Sequence, residues 1–158
     1  MTPAGKTVLV LGYGEMGHAM QVLLDGQHDL HFWDKFPAAG MRNAVVAEVA
    51  PQADFVIFCL PARPHREVAE MILPMLKAKC ICIGIAKGLN DDGQTAVQVF
   101  SDVFGSAGID YAFLYGPMIS EELRAGKHGF ADAVLSETAD FSTLHSLFLG
   151  TRLVCQQA

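Results

Sequence analysis

Three glycines at Gly12-x-Gly14-x-x-Gly17, in the loop Gly12-Tyr13-Gly14-Glu15-Met16-Gly17, carry no reactive group, yet their spacing points to a chemistry. A residue without Cβ reaches backbone angles closed to others, so Gly12 can turn the chain tightly. Gly14 lets the backbone approach a pyrophosphate, and Gly17 lets a helix lie close to a strand. Bare N–H groups and the positive end of a helix dipole then face the anion. Asp34 follows the first glycine by about 20 residues, where an acid accepts hydrogen bonds from a ribose. Lys35 beside it reads two ways, as a cation for a 2′-phosphate or as a solvated turn residue. Lys87 comes directly after the apolar run Cys80 to Ala86, where its ammonium could meet a phosphate or a carbonyl oxygen. A solvated turn lysine is its plain alternative.

Stepping outward from these residues, the elements that must hold them are legible. Val8-Leu9-Val10-Leu11 has the length and branched content of a strand. Met16, Ala19, Met20, Val22, Leu23 and Leu24 follow at near-helical spacing, and a second strand runs from Leu30 to Trp33. Strand, glycine turn, helix, strand and acid in that order form a dinucleotide-binding βαβ unit. Pro37 to Pro51 predicts a loop with a weak strand or helical turn. Phe55 to Leu60 is apolar on both faces, as a central parallel strand covered on each side should be. A helix from Pro64 to Lys77 is expected to present Val68, Met71, Ile72, Met75 and Leu76, with Pro74 kinking or shortening its last turn. Cys80 to Ala86 predicts a strand. Gln94 to Phe104 predicts a helix with Val97, Phe100, Val103 and Phe104 inward. Strands at Tyr111–Tyr115, Phe130–Leu135 and Thr151–Cys155, with helical segments at Ser120–Ala125 and Thr138–Leu149, complete the alternation. The fold class is α/β, a doubly wound, mostly parallel, Rossmann-like sheet, in one domain spanning residues 1–158.

The totals narrow the function further. With 51% apolar and 18% charged residues a sizeable core is easy to build. A net charge of −6 argues against nucleic acid as a partner. No run approaches the roughly 18 apolar residues of a membrane span, and the start has no secretory pattern, so the expected location is cytoplasmic. The four cysteines, Cys59, Cys80, Cys82 and Cys155, have no metal-ligand spacing and read as reduced core thiols. The six histidines are scattered and suit surface or packing roles, so no metal site is expected. Glu121 and Glu122 point different ways from a helix and form no acid/base pair.

Taken together, the glycine loop, Leu60-Pro61-Ala62-Arg63-Pro64-His65-Arg66-Glu67-Val68, Ala86-Lys87-Gly88-Leu89, Tyr115-Gly116-Pro117-Met118-Ile119-Ser120-Glu121-Glu122-Leu123-Arg124-Ala125-Gly126 and the strand Ala131 to Leu135 resemble NAD(P)-dependent glycerol-3-phosphate dehydrogenase, in its N-terminal, cofactor-binding half. The resemblance implies hydride transfer between a nicotinamide cofactor and dihydroxyacetone phosphate or sn-glycerol 3-phosphate. It implies that Glu15, Met16 and Lys35 touch the cofactor along with Gly12, Gly14, Gly17 and Asp34. It places Ser120 at the cofactor site, Gly116 and Met118 at the substrate site, and Lys87 at both, where its charge steadies a developing alkoxide. The family often has threonine at the position of Met118, and its segment matching Asp34 to Asp54 is longer. Its C-terminal helical domain, which supplies the catalytic lysine and most phosphate contacts, has no counterpart in these residues. Turnover therefore requires a partner domain or a second chain. Asp34 would repel a 2′-phosphate, which leans the cofactor to NAD, with NADP allowed by Lys35. Two alternatives stand beside the dehydrogenase domain: a non-catalytic dinucleotide-binding module or subunit, and a cofactor domain of the β-hydroxyacid, imine or pyrroline-carboxylate reductase type.

Overall fold

The computed structural model describes residues 5–158. Seven strands form one sheet in the order β2-β1-β3-β4-β5-β6-β7. They are β1 (Thr7–Leu11), β2 (Asp29–Trp33), β3 (Phe55–Phe58), β4 (Ile81–Gly84), β5 (Asp110–Tyr115), β6 (Gly129–Leu135) and β7 (Leu153–Gln157). The first five are parallel, β6 runs antiparallel to β5, and β7 is parallel to β6. The fold is thus an α/β, mostly parallel, Rossmann-like sheet. From β1 the chain passes outward to β2 and then returns to the other side of β1 with β3. Where successive connections diverge in this way, the adjoining strand ends leave a crevice.

Two cores flank the sheet. On one face, α1 (Glu15–Leu24), α5 (Ser120–Arg124) and α6 (Phe141–Phe148) pack over Val8, Val10, Phe55, Ile57, Ile81, Ile83, Ala112 and Leu114. On the other, α2 (Val46–Val49), α3 (His65–Ile72) and α4 (Ala96–Val103) cover Leu9, Leu11, Val56, Phe58, Cys82 and Phe113. Strands β3 and β4 are buried at every position, which is why they read as unbroken apolar runs rather than alternating ones. By contrast, β6 alternates buried and exposed residues, because only the α6 side of this end of the sheet is covered.

Several expected boundaries moved for identifiable reasons. The helix predicted over Pro64 to Lys77 ends at Ile72, and Pro74 lies in a 3-10 turn, Leu73–Met75. Proline has no N–H to continue an α-helical ladder. Met71 is 38% exposed rather than inward, and His65, not counted in the apolar face, is completely buried. In α4 the inward residues are Ala96, Val99, Phe100 and Val103, with Val97 only half-buried. Thr95 and Gln98 form a capping box there, each side chain bonding the other's backbone N–H, so the helix starts later than Gln94. Asp140 caps α6 by accepting from Thr143 N–H at 3.0 Å, which delays its start from Thr138 to Phe141. The thiols of Cys59, Cys80, Cys82 and Cys155 are free, as expected of core cysteines. Among the described residues no helix is long and apolar enough to cross a membrane.

Candidate functional site: a glycine cradle at the strand ends

The glycine loop sits at the carboxyl end of β1, wedged between the ends of β2 and β3. Gly12 N–H donates to the Trp33 carbonyl at 2.7 Å, and a Cβ on Gly12 would lie 2.3 Å from the Cys59 carbonyl oxygen. Its φ of +104° is a second reason for glycine. A Cβ on Gly17 would strike the Gly12 carbonyl oxygen at 2.2 Å, so helix α1 could not lie this close with any side chain there. Gly14 differs from both. Among the described residues, its chain neighbours aside, nothing lies within 4 Å of where its Cβ would be, and its φ is negative. Chain geometry therefore accounts for Gly12 and Gly17 and leaves Gly14 unexplained. It caps α1 without any side-chain hydrogen bond, so the first N–H groups of the helix keep no internal side-chain partner. That is the form of a cradle for a phosphate group.

Two hollows flank this helix end. One, of about 430 Å³, is lined by Gly12, Gly14, Trp33, Asp34, Lys35, Phe36, Leu60, Pro61, Pro64, Glu67 and Met71. Its apolar walls and few polar groups suit a flat heteroaromatic ring with a sugar attached. The other, of about 520 Å³, is polar and lined by Glu15, Ser120, Glu121 and Arg124.

Of the predicted residues, Gly12, Gly14, Asp34 and Lys35 line the first hollow and Glu15 and Ser120 the second. The Asp34 carboxylate closes on the loop itself: Oδ2 accepts from Tyr13 N–H and Oδ1 from Phe36 N–H, both at 2.9 Å. Each oxygen keeps a further lone pair, so a ribose hydroxyl can still donate to it. Lys35 faces a partner that the sequence did not reveal, with Nζ 3.6 Å from the Glu67 carboxylate. Glu15, whose charge would oppose a pyrophosphate in front of it, is drawn toward α5, where Ser120 Oγ donates to its Oε2 at 3.5 Å. This contact brings two residues 105 positions apart to one side of the cradle. Met16 is half-buried against the core on the same side.

Lys87 and Gly116 stand at the same, carboxyl end of the neighbouring strands β4 and β5, and neither lines the two hollows beside α1; Gly116 lines a separate hollow with Pro117, Phe130 and Asp132. Gly84 pairs with Phe113, and each of the two residues stands three positions beyond that pair. Lys87 is exposed and, among the described residues, pairs with no carboxylate. The loop after it is ordered by Asn90, whose Oδ1 accepts from Asp92 N–H and Gln94 N–H, and by Arg63, which reaches Asp91 at 3.0 Å. Gly116 has φ +138° and passes so close to β6 that a Cβ would lie 2.5 Å from the Phe130 carbonyl oxygen. Met118 donates its N–H to the Gly116 carbonyl at 2.8 Å and packs, half-buried, against the core.

Three residues of this region have roles that sequence reasoning did not assign. Asn43 holds Asp34 by both backbone groups, Glu67 faces Lys35, and His65 lies buried under the Pro61 loop with Nδ1 2.7 Å from the Pro61 carbonyl. Among the described residues His65 Nε2 has no partner, and burial holds this imidazole below its usual pKa, against the Pro61 contact. Burial likewise pushes the Cys59 thiol up to about 12. His65 and Glu67 lie in the Leu60-to-Val68 stretch that carries the resemblance, but no motif gives Asn43, Glu67 or His65 the role seen here.

The family model described as NAD-dependent glycerol-3-phosphate dehydrogenase N-terminus matches residues 34–139. The glycerol-3-phosphate dehydrogenase [NAD(P)+] of Nitratidesulfovibrio vulgaris is 26% identical over 143 residues, covering 75% of this chain and 43% of the relative. That of Bacillus velezensis is 24% identical over 143 residues, covering 75% and 41%. The chain thus spans less than half the length of these relatives. Among solved structures, glycerol-3-phosphate dehydrogenase from Coxiella burnetii superposes with a TM-score of 0.79 at 17% identity, over 99% of this chain and 55% of the other. An imine reductase from Aspergillus terreus reaches 0.71 at 15%, over 98% and 55%, so the fold alone does not separate the two groups. The family model does separate them, since it covers about two thirds of the sequence. The chain belongs to the family of NAD-dependent glycerol-3-phosphate dehydrogenase N-terminal domains.

Proposed function

We propose that this chain binds a nicotinamide dinucleotide across the end of α1 and forms the cofactor half of a glycerol-3-phosphate dehydrogenase type of site. The observation that carries the reading is Gly14, a glycine with open space around it at a helix N-terminus, between two glycines the chain itself requires. The pyrophosphate would rest on the N–H groups that open α1, with Gly12, Gly14, Glu15, Met16 and Gly17 around it. Adenine and its ribose would occupy the hollow beside Asp34 and Lys35. The nicotinamide would extend toward Ser120, Lys87 and Gly116. When bound, the nicotinamide supplies the hydride acceptor or donor.

In this reading Lys87 orients the substrate carbonyl of dihydroxyacetone phosphate and offsets negative charge growing on its oxygen during reduction. Gly116 and Met118 would border the substrate. The chain is exposed on this side, and exclusion of water from the reacting carbonyl requires a further cover, from a partner domain or a second copy. NAD is favoured over NADP, because a 2′-phosphate entering the hollow would meet the Asp34 and Glu67 carboxylates against Lys35 alone. Four free thiols fit the reducing cytoplasm.

Titration calorimetry of the folded chain with NAD, NADP, NADH and NADPH tests the proposal. Binding that weakens in Gly14→Ser supports it, and absence of heat with all four ends it. Oxidation of NADH by dihydroxyacetone phosphate that is lost in Lys87→Ala would extend it from binding to turnover.

A further inference from the structure

The carboxylate of Asp34 does not stand alone. Asn43, half-buried in the loop that follows β2, accepts the Asp34 N–H at its Oδ1 (2.8 Å) and donates from Nδ2 to the Asp34 carbonyl (3.0 Å). Only a side-chain amide offers a donor and an acceptor at this reach, so neither aspartate nor leucine could replace both bonds. Asn43 is itself held in place, since the next residue, Ala44, donates its N–H to the Phe32 carbonyl at 2.7 Å. Held at its backbone, Asp34 turns its carboxylate to Tyr13 N–H, between Gly12 and Gly14. The Tyr13 ring is fixed in turn by stacking on His18 at 3.8 Å and by a 2.6 Å hydrogen bond from its hydroxyl to Gln21. The line Asn43, Asp34, Tyr13 therefore runs from the loop after β2 into the middle of the glycine turn.

We infer that Asn43 is a positioning residue of the dinucleotide site, which acts through Asp34 to set both the ribose acceptor and the shape of the glycine turn. The inference rests on the function proposed above. It assigns the adenosine side of the site to a residue that touches no ligand. Without Asn43 the Asp34 backbone loses both its anchors, its carboxylate samples other rotamers, and Tyr13 N–H is released.

The experiment compares the chain with Asn43→Ala, Asp34→Ala and the double variant, using ADP and nicotinamide mononucleotide as separate calorimetric probes. Amide exchange at Tyr13 is followed by NMR, and circular dichroism checks the fold. Asn43→Ala is expected to weaken ADP about tenfold, leave nicotinamide mononucleotide unchanged and remove protection at Tyr13. In the Asp34→Ala background the same change should cost ADP nothing more. Equal losses for both probes, or additive losses in the double variant, would overturn the inference. Should Asn43→Ala not fold, Asn43→Asp, which keeps the acceptor for the Asp34 N–H and loses the donor to its carbonyl, takes its place, with a smaller loss of the same pattern expected. A chain that binds no dinucleotide or ADP would instead refute the proposed function. Tyr13 protection unchanged in Asn43→Ala would then refute the inference separately.

Discussion

Replacing Gly14 by serine should separate ligand binding from stability more cleanly than any other change in the cradle. Its Cβ would meet nothing within 4 Å and its φ is −85°, so neither a clash nor backbone strain follows. Serine is also a better helix N-cap than most residues, and its Oγ can accept from the N–H of Met16 or Gly17, the second and third residues of α1. Stability should change by no more than about 0.5 kcal/mol. Dinucleotide binding should fall at least about tenfold, a loss of about 1.4 kcal/mol, since the hydroxyl fills the cradle and takes the donors a phosphate would use. The control is Gly12→Ala, where a Cβ would lie 2.3 Å from the Cys59 carbonyl oxygen at φ +104°. Strain of this kind costs about 1–3 kcal/mol, and the overlap adds to it. At a combined cost of about 3 kcal/mol, and with each kcal/mol lowering Tm by about 2–4 °C for a chain of this size, a drop of roughly 6–12 °C is expected. Thermal melts followed by circular dichroism, with calorimetry for NAD, read both quantities. A Gly14→Ser protein that binds NAD as well as the parent would refute the argument, as would one that melts as early as Gly12→Ala.

Other outcomes follow from neighbouring residues. His65 donates from Nδ1 to Pro61 and leaves Nε2 buried among Phe58 and Phe100, and its pKa lies below the usual histidine value. As pH falls below about 6.5 the unfolded chain takes up a proton that the folded one refuses, so stability declines by up to about 1.4 kcal/mol per pH unit. His65→Phe should remove that part of the slope in urea melts between pH 7 and 5, and an unchanged slope would absolve this imidazole. At the other end of the sheet, burial would raise the Asp54 pKa, but Lys77 at 2.7 Å and Thr7 N–H at 2.9 Å bring it below the usual value. The folded pKa is depressed, so this stabilisation is present above about pH 4 and is lost as pH falls through it. Asp54→Ala should cost about 1–2 kcal/mol at pH 7 and flatten the acid limb of the profile. Finally, Glu67→Gln frees Lys35 and should improve NADP binding up to about fivefold, the range of an exposed ion pair, with NAD unchanged. The gain should shrink in high salt, and its absence would remove Glu67 from the ribose end.

Local pattern determined much of this protein. The glycine turn, the apolar runs of β1, β3 and β4, and the proline that ends α3 each depend on backbone conformation within a few residues, which sequence records directly. The order of strand, turn, helix and acid was legible for the same reason, and with Lys87-Gly88-Leu89 and Gly116-Pro117 it pointed to the family. Tertiary structure decided what each glycine is for, because only contact with Cys59 or Gly12 distinguishes the glycines the chain requires from Gly14, which stands in open space. It decided that Asp34 serves the turn as well as facing the hollow, and that Asn43, Glu67 and His65 take part. No pattern in the sequence states what those three residues do. Asn43 closes on Asp34 across the loop after β2, Glu67 meets Lys35 from another segment, and His65 is enclosed by Phe58 and Phe100; such contacts exist only once the chain has folded.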